Sequence, residues 1–408
     1  MKSDNYKSYS VLFASTFAFI MSFMIWVMYG VIGIPLRNEL GLSAVEFGIL
    51  TATPILSGAL IRLPLGMWTD RFGGRLVMMV LLAVCTPFVY LTSYATEFWH
   101  FLAIGLVMGL AGGSFAVGVP YVARWFPKNK QGLATGIFGI GTAGTALNNF
   151  IAPMLLEYLG DWHAVPKVYT GVLVVTMIIF FLTSYTKPEH IMKDGQKSML
   201  QQLSLLKDMR VLRYSQYYTV VFGGFVGLTL WLNNYYVANF HLDLQQAAMA
   251  TLVFLIPAST FRSVGGYLAD KFGASRVSWI VMWVLWIGFL VFAIPHGTLI
   301  MEGTKGDVAI EVGLPQWLFT LLSFVVGGAM GIGSGSIFKS VAEDYPSDIG
   351  TVSGIVGLAG GLFGFILPIA FGLLVDLTGI RATVFVLMFS GISIALIWMH
   401  FAFKGLTD

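Results

Sequence analysis

Apolar stretches of about 20 residues or more, broken by short clusters of charge, Gly and Pro, recur along the whole chain. They lie near 10–36, 46–67, 75–95, 99–125, 131–157 and 166–186, then near 211–238, 245–269, 276–295, 315–339, 349–375 and 381–404. At a rise of about 1.5 Å per residue, each spans a hydrocarbon core of about 30 Å. The pattern therefore predicts an all-α membrane protein of twelve transmembrane helices. The alternating ten-residue rhythm of an outer-membrane barrel is missing. The first run is too long for a signal-peptide core and is followed by no clear small-residue cleavage site, so it reads as a retained helix.

The most polar stretch, 187–210, reads as a connector between two six-helix halves, 1–186 and 211–408. The halves match each other. IRLPLGMWTDRFGGR, from Ile61 to Arg75, aligns with FRSVGGYLADKFGASR, from Phe261 to Arg276, which sets Arg62 over Arg262 and Asp70 over Asp270 at an offset of 200. FPKNKQGLATGIFGIG, from Phe126, aligns with YPSDIGTVSGIVGLAG, from Tyr345, so that Gly136 and Gly139 answer Gly354 and Gly357 at an offset of about 218. The difference is absorbed by a polar loop from Pro295 to Pro315 carrying Glu302, Lys305, Asp307 and Glu311. Two parallel repeats of this kind place a substrate site between them near the midplane, reached alternately from either side.

Composition agrees: with 57% apolar and 11% charged residues, lipid is the expected solvent, and 47 glycines suit closely approaching helices. A net charge of +3 makes no case for nucleic acid, but the placement of Lys and Arg matters. Seventeen fall on the side of the N-terminus and four, Arg37, Lys167, Lys305 and Arg381, on the other. That bias puts both termini and the connector in the cytoplasm, with the chain a multi-pass protein of the cytoplasmic membrane. Cys85 is the sole cysteine, and the six histidines lie near helix ends or in loops without metal-ligand spacing. No nucleophile–base arrangement and no phosphate-binding glycine loop followed by Lys-Ser/Thr is present. No metal or cofactor is expected, and neither an enzyme nor an ATP-driven pump is supported.

The remaining two cations, Arg62 and Arg262, fall inside apolar runs. Arg62 precedes Asp70 by eight residues, about 12 Å along a helix, well within the hydrocarbon zone. A guanidinium there stays charged and costs several kcal/mol unless it meets water or a counter-ion. All twenty Asp and Glu fall in loops, tails or helix ends, so an ion-paired arginine lacks a partner at that depth. Two guanidinium forks suit a small anion: a planar oxyanion such as nitrate or nitrite, or a short carboxylate.

Gly66, Asp70, Arg71, Gly73 and Arg75 resemble the helix 2–3 loop signature of the major facilitator superfamily, echoed by Gly266, Asp270, Lys271, Gly273 and Arg276. Asp70, Arg71, Arg75 and Asp270 are thereby expected to act in gating. The arginine contexts, WFPKNKQG with the Gly-rich helix 5 after it, and the Gly-rich helix 11 resemble the nitrate/nitrite porter family over essentially the whole chain. The resemblance implies that Arg62 and Arg262 bind the anion, that Phe115 and Phe222 stack on it, and that Tyr218 donates a hydrogen bond. It leaves Gly139, Gly141 and Thr142 of helix 5, and Gly357 and Gly360 of helix 11, to line the site or to pack the helices. Phe138 and Thr142 stand where asparagines are common in the family, with Asn148 and Asn149 further on. The wording of GALIRLPLGMWTDRFGGR and PYVARWFPKNKQG resembles the branch linked to proton symport and nitrate assimilation. Two fixed charges without a mid-depth proton carrier favour nitrate/nitrite exchange; against this, the branch resemblance implies nitrate uptake, which is the preferred expectation. Either way, a monomer embedded in lipid, with nitrate and nitrite as substrates and protons as a possible coupling ion, is expected.

Overall fold

The computed structural model describes residues 2–42, 44–187, 199–303 and 306–403. Lys193, Lys197, Lys305 and Lys404, counted above, lie outside the described residues, as does much of the polar connector.

With a short helix, Met199–Leu203, and a 3₁₀ turn, Ser204–Lys207, between the sixth and the seventh, twelve long helical runs follow one another among the described residues. They are α1 (Lys2–Trp26, resuming as Tyr29–Leu40), α2 (Ala44–Leu60 and Arg62–Phe72), α3 (Gly74–Leu91), α4 (Phe98–Met108 and Ser114–Ala123), α5 (Gln131–Gly139 and Gly144–Leu159) and α6 (Ala164–Thr183). Then come α7 (Met209–Tyr218 and Gly224–Phe240), α8 (Leu244–Phe272), α9 (Ala274–Phe292), α10 (Gln316–Asp344), α11 (Ile349–Thr378) and α12 (Thr383–Phe403). Ten are long and apolar enough to cross a membrane by themselves. The other two, α5 and α7, are diluted by Gly, Thr and Asn or by Tyr and Gln, residues that face the interior of the bundle rather than lipid.

Several runs change winding near mid-depth, each for a local reason. In α2, Pro64 has no N–H to offer, and the helix is interrupted at Ile61. Gly109–Gly113 of α4 and Ile140–Ala143 of α5 tighten into 3₁₀ turns, and Thr219–Gly223 of α7 widens into a π turn. Such backbone is tolerated at membrane depth where protein surrounds it. Elsewhere the ends are conventional: Asp243 and Gln246 form a capping box that starts α8, through bonds of 2.8 and 3.4 Å.

The segment read as a polar loop is instead a β-hairpin, β1 (Gly297–Gly303) paired antiparallel with β2 (Gly306–Val312), with Ile300 opposite Ala309. Its charges masked a strand signal: the aliphatic residues of TLIM and VAIEV suit a pleated ribbon better than a loop. The hairpin marks one face of the bundle; the α2–α3 and α8–α9 turns mark the opposite face, where Ser8 near the start of α1 donates to the Trp125 carbonyl at the end of α4.

On that terminal face, α2 packs on α11 and α5 on α8 with backbones nearly touching. A Cβ built on Gly66 would lie 2.1 Å from the Gly350 carbonyl oxygen, and one on Gly266 would lie 1.8 Å from that of Gly132. Only hydrogen fits. The outer surfaces of α3, α6, α9 and α12 expose Val80, Ile178, Ile280 and Ile397, as helices bathed in lipid do. We expect Gly266→Val to leave the protein inserted and to abolish transport by wedging α5 from α8, checked by membrane-fraction yield alongside uptake in proteoliposomes.

Candidate functional site

Arg62 from α2 and Arg262 from α8 both point into the centre of the bundle, with Arg62 fully buried and Arg262 nearly so. They converge on one ring: their guanidinium carbons lie 5.0 and 5.3 Å from the centre of Phe222. Arg62 also lies 5.7 Å from Trp26 and Arg262 6.0 Å from Phe115. Two cations over one ring are at most about 10 Å apart, a separation at which they repel by roughly 1.7 kcal/mol at an effective dielectric of about 20. Aromatic faces offset part of this through their quadrupoles, but supply no net negative charge.

The hydrogen-bond inventory of the two arginines is incomplete. Arg62 donates from Nη1 to the Gly357 carbonyl of α11 at 2.7 Å and from Nε to the Gly112 carbonyl of α4 at 3.3 Å. Its Nη2 is buried without a partner, and so is Nε of Arg262. Tyr218 Oη is fully buried beside Arg262 in a geometry that falls short of a hydrogen bond. Donors buried without acceptors are costly, about 1–3 kcal/mol each and more when charged. Three such donors on the central residues describe a place for an acceptor.

That place has flat walls. Phe115 of α4 and Phe222 of α7 are 8° from parallel with centroids 6.4 Å apart. That separation bounds the gap between the ring planes from above, and a flat guest needs about 7 Å, two contacts of about 3.5 Å, so the rings must part to admit one. Tyr218 stacks beside Phe222 at 5.0 Å and 9°, one turn earlier on α7, and the π turn between them sets both rings facing Phe115. Phe338 of α10 closes the side, edge-on to Phe115 at 4.8 Å and to Tyr218 at 4.9 Å.

The glycines divide. A Cβ on Gly139 would meet Arg262 Cδ at 3.0 Å, and one on Gly357 would meet Arg62 Cδ at 3.2 Å, a symmetric arrangement in which each arginine lies along a glycine of the other repeat. A Cβ on Gly360 would meet the Tyr218 ring at 2.6 Å. Gly141 is instead pressed against Phe19, and the Thr142 hydroxyl is spent on the Gly139 carbonyl at 3.1 Å, so neither is brought to the arginines. Phe138 stacks on Phe19 at 4.7 Å and lies behind Phe115 at 6.1 Å, extending the aromatic column.

Toward the hairpin face, a cavity of about 570 Å³ opens between α1, α2, α7 and α11, with Trp26, which covers Arg62, in its lining. The terminal face is closed by two matching locks. Asp70, at the end of α2, accepts from the Gly350 and Thr351 amides at 3.0 and 2.8 Å, the Thr351 hydroxyl at 3.0 Å, and Arg124. Asp270, at the end of α8, accepts from the Gly132 and Leu133 amides at 3.0 and 2.7 Å and is paired with Lys339 at 2.8 Å. Each carboxylate thus caps the N-terminus of a helix of the opposite repeat, where free N–H groups and the helix dipole favour negative charge. Arg75 holds the Phe181 carbonyl at 2.7 Å within its own repeat and Arg71 lies exposed over Phe72, so neither joins the locks. Reasoning from sequence did not single out Arg124, Lys339 and Thr351 for the locks, or Trp26, Gly112 and Phe338 for the centre. The positions of Arg124 and Lys339, cations near the ends of α4 and α10 in corresponding places of the two repeats, were the available signal.

Compared with known proteins, the model of the Major Facilitator Superfamily matches residues 12–302 and 229–405. The chain is 38% identical over 405 residues to the "Probable nitrate/nitrite antiporter NarK1" of Thermus thermophilus, covering 96% of this chain and 90% of that one. It is 30% identical to the "Nitrite extrusion protein" of Bacillus subtilis, covering 93% and 92%. The chain belongs to the nitrate/nitrite porter family of the major facilitator superfamily. The porter shares its fold with FucP in the outward conformation, at a TM-score of 0.72, 14% identity and coverage of 96% and 99%, and with the human organic anion transporter MFSD10, at 0.74, 16% and the same coverages. Family and fold are those of multi-pass membrane transporters.

In this porter, Arg62→Lys keeps the charge but loses the fork that reaches Gly357, Gly112 and the centre at once. Uptake of labelled nitrate is expected to fall roughly 10-fold or more at unchanged expression, the equivalent of one charge-assisted hydrogen bond. Asp270→Asn keeps the shape of the lock and removes its charge; hydrogen exchange at the Gly132 and Leu133 amides is expected to speed roughly 10-fold, as about 1–2 kcal/mol of lock is lost. Unchanged exchange would show that the carboxylate charge does not hold the terminal face closed.

Proposed function

We propose that this porter moves nitrate and nitrite across the cytoplasmic membrane by alternating access, and that Arg62, Arg262, Tyr218, Phe115 and Phe222 hold the anion. The observation that carries this reading is the cluster of buried, acceptor-less donors on two guanidiniums and a phenol between parallel rings. A planar monoanion fills the slot, accepts from the forks and offsets their repulsion. Gly139, Gly357 and Gly360 keep backbone close to those side chains. A short carboxylate has the same charge and a similar planar O–C–O edge, and it is the relatives' names that favour nitrate and nitrite over it.

The halves 1–186 and 211–408 rock about the centre, with the terminal face in the cytoplasm. The conformation described is then the outward-facing one, its cytoplasmic side closed by Asp70 and Asp270 and its vestibule on the hairpin side. Rocking inward must break both caps and the bond from Arg62 to Gly357, since all of them join one repeat to the other.

Exchange is the coupling this site supports best. Among the described residues no salt bridge to Asp or Glu involves Arg62 or Arg262, so an empty site carries two uncompensated charges in a low-dielectric gap and should reorient slowly. An anion in each direction removes that barrier. The names of two relatives, an antiporter and an extrusion protein, point the same way. In proteoliposomes, internal nitrite is expected to accelerate uptake of labelled nitrate at least tenfold over anion-free vesicles without internal pH change. Uptake driven by a proton gradient into anion-free vesicles would establish symport instead, and uptake of formate but not nitrate would overturn the substrate.

A further inference from the structure

The α2–α3 and α8–α9 turns match in sequence, yet the grooves that run up the outside of the bundle from them differ. The groove between α8, α9 and α10 has a volume of about 590 Å³, against about 250 Å³ for its counterpart between α2, α3 and α4. Residue size accounts for the contrast. Trp68 fills the first groove where Leu268, at the same place in the second repeat, leaves room, and α10 lines its groove with Gly328 and Ala329 where α4 presents Leu110. The larger groove faces lipid, since Phe272, Ile280 and Val325 in its lining are exposed. Its one polar lining side chain is Arg276, at the terminal face.

The charge at that end is uncompensated. Arg75, which closes the first turn, donates to the Phe181 carbonyl, whereas Arg276, which closes the second, is exposed and has no hydrogen bond or ion pair among the described residues. Lys271 is exposed too, with its ammonium 5.2 Å over the ring of Phe272, a wall of the groove. The neighbouring Asp270 is taken up by the Gly132 and Leu133 amides and by Lys339. No side chain caps the start of α9, so the free amides of its first turn add to the positive end.

We propose that this groove binds an anionic phospholipid, with an acyl chain laid along Phe261, Ile280 and Ala329 and the phosphate held by Arg276 and Lys271. A guanidinium meets two phosphoryl oxygens at once, and basic groups beside a groove between spanning helices suit lipid headgroups. A zwitterionic headgroup brings its own cation to the same place and so gains less. Free phosphate would gain nothing from the apolar walls. The bound chain would also brace α8 against α10: it rests on Phe261, a ring that α10 already crowds, since a Cβ on Gly328 or Gly331 would lie 2.9 or 3.2 Å from that side chain. Naming the leaflet as the inner one rests on the orientation proposed above; the chemistry of the groove does not.

The test uses the full-length porter in detergent, with the thermal unfolding midpoint as readout and three probes: dioleoyl phosphatidylglycerol, dioleoyl phosphatidylcholine and glycerol phosphate. Phosphatidylglycerol is expected to raise the midpoint by about 3 °C or more over phosphatidylcholine, and glycerol phosphate, a headgroup without chains, to leave it unchanged. The rise should vanish in Lys271→Gln/Arg276→Gln, which removes the charge, and in Val325→Trp, which fills the groove; all three positions are exposed, so folding is not at stake. An equal rise with phosphatidylcholine would overturn the selection for an anionic headgroup, and an equal rise with glycerol phosphate would overturn the acyl contact. A rise that persists in either variant, or no rise in the unaltered protein, would overturn the site.

Discussion

Two positive charges held in the middle of a bundle whose surroundings are lipid are the constraint on which the rest of the structure depends. Arg62 and Arg262 cannot be neutralised by deprotonation, and among the described residues no carboxylate is ion-paired with them. The protein answers with weaker partners: carbonyls of Gly357 and Gly112, the faces of Phe222, Phe115 and Trp26, and glycines that let backbone approach the side chains. These satisfy some of the donors and leave others unmet. The unmet ones are the donors that the proposed anion would satisfy.

The same economy governs the terminal face. Helix N-termini carry unpaired N–H groups wherever they occur, and here two of them, at α11 and α5, are capped by aspartates of the opposite repeat instead of by residues of their own. A cap that would ordinarily stabilise one helix becomes an inter-repeat lock. Glycine-to-glycine contacts beside each lock let the helices close to within backbone contact, so the seal is both electrostatic and steric. Arg62 couples centre to seam, because its bond to Gly357 crosses the α2–α11 interface that Asp70 closes.

Much of this was legible in sequence because lipid makes the code simple. Spans, the repeat and the depth of the arginines follow from run length and from the 200-residue offset between two matching turns. The correspondence of Asp70 and Asp270 was readable in the same offset, while their gating role is what the resemblance implied. The hairpin at Gly297–Val312 was not, since its charges resemble a loop and its pairing depends on register. Nor was the different fate of Arg71 and Arg75, which share a motif with Asp70 but point away from its partners. Gly141 and Thr142 sit in the right helix but are engaged elsewhere: Gly141 lies against Phe19, as its two-residue spacing from Gly139 gives on any helix, and the Thr142 hydroxyl is bonded to the Gly139 carbonyl.

Sequence alone therefore determined the solvent, the helical spans, the internal repeat and the presence of two cations within the spans. These properties follow from hydration energies, which depend on residue type and position along the chain. Tertiary structure alone decided which donors are left over, which rings lie parallel, and which helix ends each aspartate caps. Those outcomes depend on approach between residues as far apart as Arg62 and Gly357, and on breaks in helical winding that turn a side chain by a fraction of a turn. No local pattern encodes such a rotation.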